Sequence, residues 1–519
     1  MLNLLLVFNL FIFSQGDGGA PCLARDYGWG SVVCVCNSSH CDSLGLGPLR
    51  QLAGGAVVQY QTSKAGLRLQ PRRAAFSSSH GRDAAANTTL EVDQRVTYQE
   101  VLGFGGAVSD ATAINTFSLS AAAAERLVRA YFSPEGSRYS LVRVPIGPTD
   151  FSSRYYEYTG DHQYDTSLEH FNLTEEDTEY KIPFIKMARR VSRQHVNLFA
   201  AAWTAPQWMK DIDNSTGKSV LKPEYYQVYA DYYVRFLRAY AARGLDFWGV
   251  TPQNEPDVAL VLGLVITMGW TAASMREYLA GHLCPSLRSA GFGGLKVMLV
   301  DDNRSYLPAW LPLLKNETVR DCVSGSALHW YSDNTTPPSV LSDAHAAFPD
   351  KFLLYSEACP ARSGSGTRVQ LGNWEDGAEY LSDIIQVASH WVAGWVDWNM
   401  AVDLGGGPNW LGQTRDDASV VVNSTADEFY KQPTFYAVAH FSSFVPPGSV
   451  RVSLRAGAWP AALEGVAFLT PDRVTVVVLH NKGDADLAVS VSDSARGNLT
   501  LDIPARSMHT VLYRQELRH

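Results

Sequence analysis

Two glutamates stand next to segments that have the composition of buried β-strands. Glu255 lies in Asn254-Glu255-Pro256, just after the segment 247–252, and Glu357 ends the apolar segment 351–357. Hydrolysis of a glycosidic bond needs one carboxylic acid that protonates the leaving oxygen, and a second carboxylate that attacks the anomeric carbon or activates water. The two residues are candidates for that pair. Taken alone, Glu255 has a simpler explanation as a helix-dipole partner, and Glu357 simply marks a strand end.

Other side chains suited to holding a sugar follow the same kind of segment. Trp203 and Trp398 have indole rings that can stack on the apolar face of a pyranose, while Asn254 and Asn409 can hydrogen-bond its hydroxyls. The further polar or aromatic residues at segment ends are Arg143, Asp150, Asp301, Asp302, His329 and Tyr331. Structural roles compete here as well, because His329 could be a hydrogen-bonded core histidine and Asp301-Asp302 could cap the next helix.

Eight strand-like segments must position these residues, and helical stretches fill the gaps. The segments are 101–106, 140–145, 196–203, 247–252, 296–301, 325–330, 351–357 and 392–399. Alternating strands and helices predict a parallel sheet covered by helices. Eight units over about 300 residues favour a (β/α)8 barrel over a doubly wound sheet, and barrel enzymes carry their sites at the C-terminal ends of the strands.

The two ends of the chain have a different pattern. Residues 47–95 and 448–514 contain short β-like segments separated by Gly, Pro and Ser, and a length of 519 residues is typical of about three domains. Neither a phosphate-binding loop nor a His-Glu-x-x-His zinc motif is present, so we expect no cofactor and no metal. The 43 Lys and Arg against 52 Asp and Glu give a net charge of −9 without a basic cluster, which argues against nucleic acid.

The N-terminus indicates secretion. Residues 1–19 have the apolar run Leu4 to Phe13 followed by small and polar residues, which predicts a signal peptide and is too short to span a membrane. Chains that enter the secretory pathway can be glycosylated at Asn-x-Ser/Thr. The candidate sites are Asn37, Asn87, Asn172, Asn214, Asn303, Asn316, Asn334, Asn423 and Asn498.

The cysteines divide into two groups. Cys22, Cys34, Cys36 and Cys41 crowd into the mature N-terminus and predict disulfides, for which three pairings exist. Cys34 and Cys36 point the same way in a strand, so bonds to Cys22 and Cys41 are favoured over a bond between them. We interpret the odd set Cys284, Cys322 and Cys359 as buried free thiols.

The segment from Val258 to Trp270, directly after the first glutamate, is strongly apolar. Its thirteen residues cannot span a bilayer. A buried helix is the favoured interpretation. The alternative is an exposed lip that touches lipid or an activator protein.

Several motifs occur together in an order that resembles glycoside hydrolase family 30. The motifs are Gly103-Phe-Gly-Gly-Ala, Arg143-Val-Pro, Trp203-Thr-Ala-Pro, Asn254-Glu-Pro, His329-Trp-Tyr, Ser356-Glu-Ala-Cys, Asp397-Trp-Asn, Gly406-Gly-Pro-Asn-Trp and Tyr430-Lys-Gln-Pro. The resemblance extends from the N-terminal Ser31-Val-Val-Cys-Val-Cys-Asn to the final strands, and this joint signal is far more specific than any one tripeptide.

The resemblance implies a role for each site residue. Glu255 would be the general acid/base and Glu357 the nucleophile of a retaining mechanism, with Arg143, His329 and Tyr331 in support. The implied sugar contacts are Asp150, Trp203, Asn254, Trp398 and Asn409, and the implied disulfides are Cys22 to Cys34 and Cys36 to Cys41.

The resemblance also implies a discontinuous domain layout. Residues 20–46 with about 400–431 would form a small disulfide-bonded β domain, and residues 47–95 and 448–519 a β-sandwich. The catalytic (β/α)8 barrel would comprise residues 96–399 and 432–447.

The implied activity is hydrolysis of glucosylceramide to glucose and ceramide, on the lumenal side of the lysosome and peripherally on the membrane. The implied partners are glucosylceramide in anionic lipid membranes, a saposin-type activator protein and a lysosomal transport receptor. Two alternatives stay open: a family member acting on another β-glycoside such as a xyloside, and a non-catalytic carbohydrate-binding relative. The presence of both glutamates weighs against the second alternative.

Overall fold

The computed structural model describes residues 19–44, 56–76, 88–261, 263, 266–360, 369–412 and 416–514. The predicted signal peptide, apart from Gly19, and the candidate glycosylation site Asn87 lie outside these residues. Of the other candidate sites, Asn172, Asn214, Asn316 and Asn334 are exposed.

The strands and helices of the described residues are numbered in chain order. The first twelve strands are β1 (Ala24–Asp26), β2 (Val32–Asn37), β3 (Val57–Ser63), β4 (Gln70–Ala74), β5 (Thr88–Glu100), β6 (Gly103–Ala107), β7 (Leu141–Ile146), β8 (Asn197–Ala202), β9 (Lys210–Ile212), β10 (Ser219–Leu221), β11 (Gly249–Thr251) and β12 (Lys296–Asn303). The others are β13 (Val323–His329), β14 (Phe352–Glu357), β15 (Val392–Asn399), β16 (Ala401–Asp403), β17 (Val420–Asn423), β18 (Glu428–Lys431), β19 (Val450–Ala456), β20 (Leu463–Leu469), β21 (Val474–Asn481), β22 (Leu487–Asp493), β23 (Gly497–Ile503) and β24 (Ser507–Arg514). The helices are α1 (Asp110–Phe117), α2 (Ala121–Phe132), α3 (Ile182–Val191), α4 (Tyr226–Ala241), α5 (Pro256–Val261), α6 (Ala272–Tyr278), α7 (Cys284–Ser289), α8 (Leu307–Trp310), α9 (Glu317–Cys322), α10 (Ser339–Ala347), α11 (Trp374–Ser389) and α12 (Pro433–Ser442).

Eight parallel strands close into a barrel in the order β6, β7, β8, β11, β12, β13, β14 and β15. Each of them overlaps one of the eight predicted segments, so the predicted (β/α)8 barrel is confirmed. The strands are nearly continuous runs of buried residues, as expected where helices cover the outside and side chains fill the inside. The glycines of β6 have a packing reason, because a Cβ at Gly105 would overlap the backbone of Leu141 on β7.

Strands from both ends of the chain form one nine-stranded sheet, in the order β23, β22, β5, β19, β20, β21, β24, β3 and β4. The sheet folds back on itself, since Tyr513 on β24 donates a hydrogen bond of 3.0 Å to Asp493 on β22 although five places separate these strands. Valine and leucine side chains from both halves share one core. This double layer is a β-sandwich, as predicted.

A third sheet has the order β1, β2, β18, β17 and β16, so it pairs the N-terminal strands with residues 401–431. Disulfides join Cys22 to Cys34 and Cys36 to Cys41 in this sheet. The buried pair Lys431 and Asp42, with 2.7 Å between Nζ and Oδ1, adds a polar link at its base.

The prediction that Cys284 and Cys322 are free thiols is wrong. A disulfide joins them across 38 residues and ties α7 to α9 on the outside of the barrel. Helical positions so far apart in sequence give no spacing signal, whereas the N-terminal cysteines were recognisable by their crowding. Within the described residues, buried Cys359 remains the free cysteine.

The apolar segment after Glu255 is divided between surface and core. Val261 at the end of α5 is 64% exposed, whereas Ala259, Ile266, Met268 and Trp270 are buried. Residues 262, 264 and 265 lie outside the described residues. No helix of the described chain is long and apolar enough to cross a membrane.

The disulfide pattern predicts the result of thiol labelling. Alkylation of the denatured, unreduced protein should label Cys359 alone, because the other six cysteines are paired. Peptide mass spectrometry identifies the labelled residue, and a Cys359→Ser variant should take up no label. Label on Cys284 or Cys322 in unreduced protein would contradict the third disulfide.

Candidate active site

A fully buried arginine occupies the centre of the C-terminal end of the barrel. Arg143 on β7 donates from Nη2 to Asn254 Oδ1 at 2.7 Å and to Asp301 Oδ2 at 2.8 Å, and from Nη1 to Glu357. Burial lowers the pKa of the Arg143 guanidinium, but the charges of Asp301 and Glu357 outweigh this and raise its pKa above the ordinary value. The cation therefore fixes three polar groups from three different strand ends.

Two tryptophans cover this arginine. The rings of Trp203 and Trp398 stack on each other with 4.9 Å between centroids, and the Arg143 guanidinium lies 4.7 Å and 5.5 Å from them. Both indoles are buried and belong to one apolar cluster with Phe151.

The two glutamates lie next to each other. One carboxylate oxygen of Glu255, one of Glu357 and a ring nitrogen of His329 all lie within 4.8 Å of one another. The Glu357 side chain is 7% exposed, and it accepts a 2.9 Å hydrogen bond from Tyr331 in addition to that from Arg143. The Glu255 side chain is 24% exposed and has fewer partners. The Glu357 carboxylate is thus buried and fixed by two donors, whereas that of Glu255 is partly exposed.

The backbone at Glu255 is in the left-handed region. Its φ is +47°, and Asp301 at the end of β12 has a φ of +48°. Non-glycine residues adopt this conformation at an energetic cost, and such residues concentrate at functional sites. The Glu255 N–H donates to the Asp301 carbonyl at 2.9 Å, so the two turns hold each other.

His329 is a fully buried link between carboxylates. Nδ1 lies 3.3 Å from Glu255 Oε1 and 3.7 Å from Glu357 Oε1, and Nε2 lies 3.2 Å from Asp301 Oδ1. Burial lowers the pKa of His329, but the charge of Glu357 and the hydrogen bonds to Asp301 and Glu255 raise it to about 10. The imidazole is therefore protonated at neutral pH. These three groups are also of the types that bind metal ions, and in the metal-free protein they are held together by the charge of the imidazolium.

Asp301 is the residue whose importance the sequence did not reveal. It accepts hydrogen bonds from Arg143, His329, Thr251 and Ser356, the last two at 2.6 Å and 2.7 Å. Burial raises the pKa of the Asp301 carboxyl, but the Arg143 charge and the His329 hydrogen bond outweigh it and hold this pKa well below the ordinary value. Its position at a strand end was the available signal.

The suggestion that Asp301 and Asp302 cap the next helix is wrong, because the helix that is capped is the preceding one. Asp302 accepts from the backbone N–H groups of Asp257 and Val258, at 3.1 Å and 3.3 Å, and so caps α5 that precedes it in the chain. Burial and the nearby charge of Glu255 raise the pKa of Asp302 to about 7.

A second group of acids, Asp150 and Asp416, interacts electrostatically with both glutamates. Burial and then the charge of Asp416 raise the pKa of Asp150 well above its ordinary value, and burial and the charge of Glu357 raise the pKa of Asp416 to about 7. Cys359 hydrogen-bonds to Asp416, and its Sγ lies 3.1 Å from the Tyr331 hydroxyl. Asp416 was not predicted, because it follows no strand of the barrel.

The two asparagines have different positions. Asn254 has its amide oxygen occupied by Arg143 within the central network. Asn409 lies outside that network: its Oδ1 accepts from the Gly412 backbone at 2.9 Å, and Nδ2 has no hydrogen-bond partner in the described part of the chain. It is connected to the Asp150 loop through its neighbour Trp410, whose Nε1 donates to the Thr149 carbonyl at 2.8 Å.

Comparisons with known proteins give consistent matches. The glycosyl hydrolase family 30 TIM-barrel domain matches residues 101–445, and the family 30 beta sandwich domain matches residues 448–511. The chain is 38% identical to lysosomal acid glucosylceramidase of Mus musculus over 520 residues, which cover 98% of this chain and 99% of the mouse protein. It is 38% identical to putative glucosylceramidase 4 of Caenorhabditis elegans over 525 residues, with 99% of each chain covered. The solved structure of SrfJ from Salmonella typhimurium superposes with a TM-score of 0.79 at 25% identity, covering 89% of this chain and 100% of SrfJ.

The Asp301 network predicts a pH-dependent loss of stability. Asp301→Asn should lower the free energy of unfolding by about 3 to 5 kcal/mol, because it leaves Arg143 and His329 with one counter-charge fewer in a buried site. Since the folded-state pKa of Asp301 is lowered, its contribution is fully present above the ordinary Asp pKa of about 3.9 and declines as the pH falls below it. Urea unfolding at a series of pH values should therefore show a constant difference near neutral pH that shrinks in acid.

Asp302→Asn is the matched control for this measurement. The pKa of Asp302 is raised to about 7, so its carboxyl is already protonated in mild acid and the neutral amide can replace it there. If the two variants lose equal free energies of unfolding at pH 5, Asp301 is not the ionised partner of Arg143 and His329.

Proposed function

The chain belongs to glycosyl hydrolase family 30, and from this premise we propose that it is a retaining β-glucosidase that hydrolyses glucosylceramide to glucose and ceramide. The observation that carries the proposal is the closeness of Glu255 and Glu357, which have carboxylate oxygens within 4.8 Å of each other. Retaining glycosidases hold their two carboxyl groups about 5 to 5.5 Å apart, whereas inverting enzymes need about 6.5 to 9.5 Å to admit a water.

In the first step the Glu357 carboxylate attacks the anomeric carbon. The bond from that carbon to the ceramide oxygen breaks, and protonated Glu255 gives its proton to the departing oxygen. The hydrogen bonds from Arg143 and Tyr331 support this role for Glu357, because they orient the ionised carboxylate. The product of the step is a covalent glucosyl-enzyme and free ceramide.

In the second step water attacks the same carbon. Glu255, now ionised, removes a proton from the water, the bond to Glu357 breaks, and glucose leaves with its original anomeric configuration. The greater exposure of Glu255 supports its assignment as the acid/base, since this residue must exchange protons with an incoming water. His329 and Asp301 act as positioning residues through their contacts with Glu255 and Arg143.

For sugar recognition we propose contacts from Asp150, Asn254, Asn409 and the stacked pair Trp203 and Trp398. The environment of Asp150 supports this, because burial and neighbouring carboxylates raise its pKa and a hydroxyl-rich ligand would supply further hydrogen-bond partners there. The unpartnered Nδ2 of Asn409 is a donor of the same kind.

The proposal for the cellular setting is supported by the name of one relative and by features of the sequence. The mouse relative is named as lysosomal, and the predicted signal peptide and the exposed sequons suit passage through the secretory pathway as a glycoprotein. We propose peripheral association with anionic lipid membranes, a saposin-type activator and a transport receptor. Acid pH would favour the encounter with anionic lipid by charging exposed histidines. Buried His440 and His509 do not contribute, because burial lowers the pKa of His440 well below its ordinary value and that of His509 to about 3.

Trapping the covalent intermediate tests the nucleophile. Incubation with a 2-deoxy-2-fluoroglucoside or an epoxide sugar should inactivate the enzyme and add one label per chain at Glu357, because the altered sugar slows the second step. Peptide mass spectrometry maps the label, and Glu255→Gln tests whether slower labelling follows loss of the acid. A label on another residue would disprove the assignment, and the absence of any label or turnover would favour a non-catalytic carbohydrate-binding protein.

A substrate panel at about pH 5 tests the sugar and the aglycone. Glucosylceramide should be cleaved with a higher kcat/KM than the corresponding galactoside or xyloside, because the polar contacts around Asp150 and Asn254 would lose hydroxyl partners or meet them in the wrong orientation. Released sugar is measured directly. A preference for the xyloside would replace the proposal with the alternative family 30 activity.

A further inference from the structure

A second cleft opens at the C-terminal rim of the barrel, apart from the glutamate pair. This rim cleft has a volume of about 450 Å³. It is lined by seven residues between 154 and 163 and by Thr174, all in the segment after β7, and by Gln207 and Trp208 after β8. That volume lies within the range of small-molecule sites, roughly 300 to 1,000 Å³. Neither Glu255 nor Glu357 lines it.

The loops after β7 and β8 contribute residues both to the rim cleft and to the catalytic pocket. Asp150 and Trp203 lie near the strand ends, and Tyr155 and Trp208 each lie five residues further along the chain. The Tyr155 ring packs against Trp410 with 5.9 Å between centroids. Trp410 is in turn anchored to the Thr149 carbonyl, so a ring of the rim cleft is connected to the residue next to Asp150.

The lining combines aromatic rings with groups that bind hydroxyls. Tyr155, Tyr156 and Trp208 supply apolar surface, and Asp161 and Gln163 are exposed with no side-chain hydrogen bond in the described part of the chain. Glu157 is already organised, because its Oε1 accepts from the Tyr155 hydroxyl and from the Gln207 N–H, each at 2.7 Å. Aromatic faces beside fixed carboxylates and amides are the means by which proteins hold sugar rings.

The charges of the cleft select against an anion. Arg154 is paired with Glu176 through two contacts of 2.9 Å and 3.1 Å and lies over the Tyr156 ring, so its charge is partly compensated. The remaining charged side chains in the lining are the carboxylates of Glu157 and Asp161. A neutral polyhydroxylated ring can donate to these carboxylates, whereas a phosphate or a uronate would be repelled.

We propose that the rim cleft is a second saccharide-binding site, which holds a neutral sugar ring other than the one that is cleaved. The ring has two possible sources, a free β-linked oligosaccharide or the headgroup of a neighbouring glycolipid. A site of this kind beside the catalytic pocket would keep the enzyme at a glucoside-rich surface between turnovers.

The test separates the rim cleft from the catalytic pocket. The Glu357 site is first blocked covalently with a 2-deoxy-2-fluoroglucoside, and cellobiose is then titrated by calorimetry and by ligand-observed NMR. The blocked enzyme should still bind cellobiose saturably. Asp161→Ala with Gln163→Ala should weaken this binding by roughly tenfold, as expected for two lost hydrogen bonds.

Glu169→Gln is the matched control, because Glu169 is an exposed acid on the same loop outside the cleft and its loss should leave binding unchanged. Both variants should hydrolyse a soluble aryl glucoside at the wild-type rate, since neither touches the catalytic network. The Glu357→Gln variant is titrated in parallel, so that failure of the proposed catalysis and failure of the cleft to bind are read separately.

Flotation of the blocked enzyme with vesicles distinguishes the two sources of the sugar. Tighter binding to vesicles containing glucosylceramide than to vesicles containing ceramide, lost in the double variant, would identify the glycolipid headgroup. If the double variant weakens cellobiose binding but leaves vesicle binding unchanged, the ligand is a soluble saccharide. The proposal is overturned if the blocked enzyme binds no cellobiose, or if the double variant binds it as tightly as the Glu169→Gln control.

Discussion

The organisation of this barrel depends on one buried cation. Arg143 has no exposed surface, and an isolated charge at such a site would cost several kcal/mol. Three hydrogen-bond acceptors around the guanidinium offset this cost. They are Glu357 on β14, Asp301 on β12 and the Asn254 amide in the loop after β11. The strand ends therefore cannot move independently, because any shift would leave either the arginine or a carboxylate without its partner.

The same requirement gives the acids of the site different properties. Asp301 contacts both Arg143 and His329 and is held ionised, whereas Asp150, Asp302 and Asp416 have fewer cations near them and have raised pKa values. Carboxyl groups within one pocket thus differ in pKa according to the charges next to them.

Patterns that repeat along the chain made the sequence predictive. The alternation of apolar and helical segments indicated the barrel, and the polar residues at the strand ends pointed to Glu255, Glu357, Arg143 and His329 because all parallel strands of a barrel end on one face. Features that arise only from tertiary packing were not accessible. The Cys284 to Cys322 bond joins helices far apart in sequence, Asp416 follows no strand of the barrel, and the stacking of Trp203 on Trp398 depends on how two loops meet over Arg143.

The sheet formed from both ends of the chain has a consequence for biosynthesis. β3 and β5 pair with β24, β22 and β19, so roughly 350 residues must be made before these early strands can find their neighbours. Pairing over such a sequence distance is slow and leaves strand edges open to aggregation. The two short-range disulfides can form while the rest of the chain is synthesised, because the two cysteines of each bond are close together in the sequence. A nascent chain truncated before residue 450 would have a nearly complete barrel sequence but would lack β19, β22 and β24, the strands that pair with β3 and β5, and it would be a substrate for chaperones rather than an enzyme.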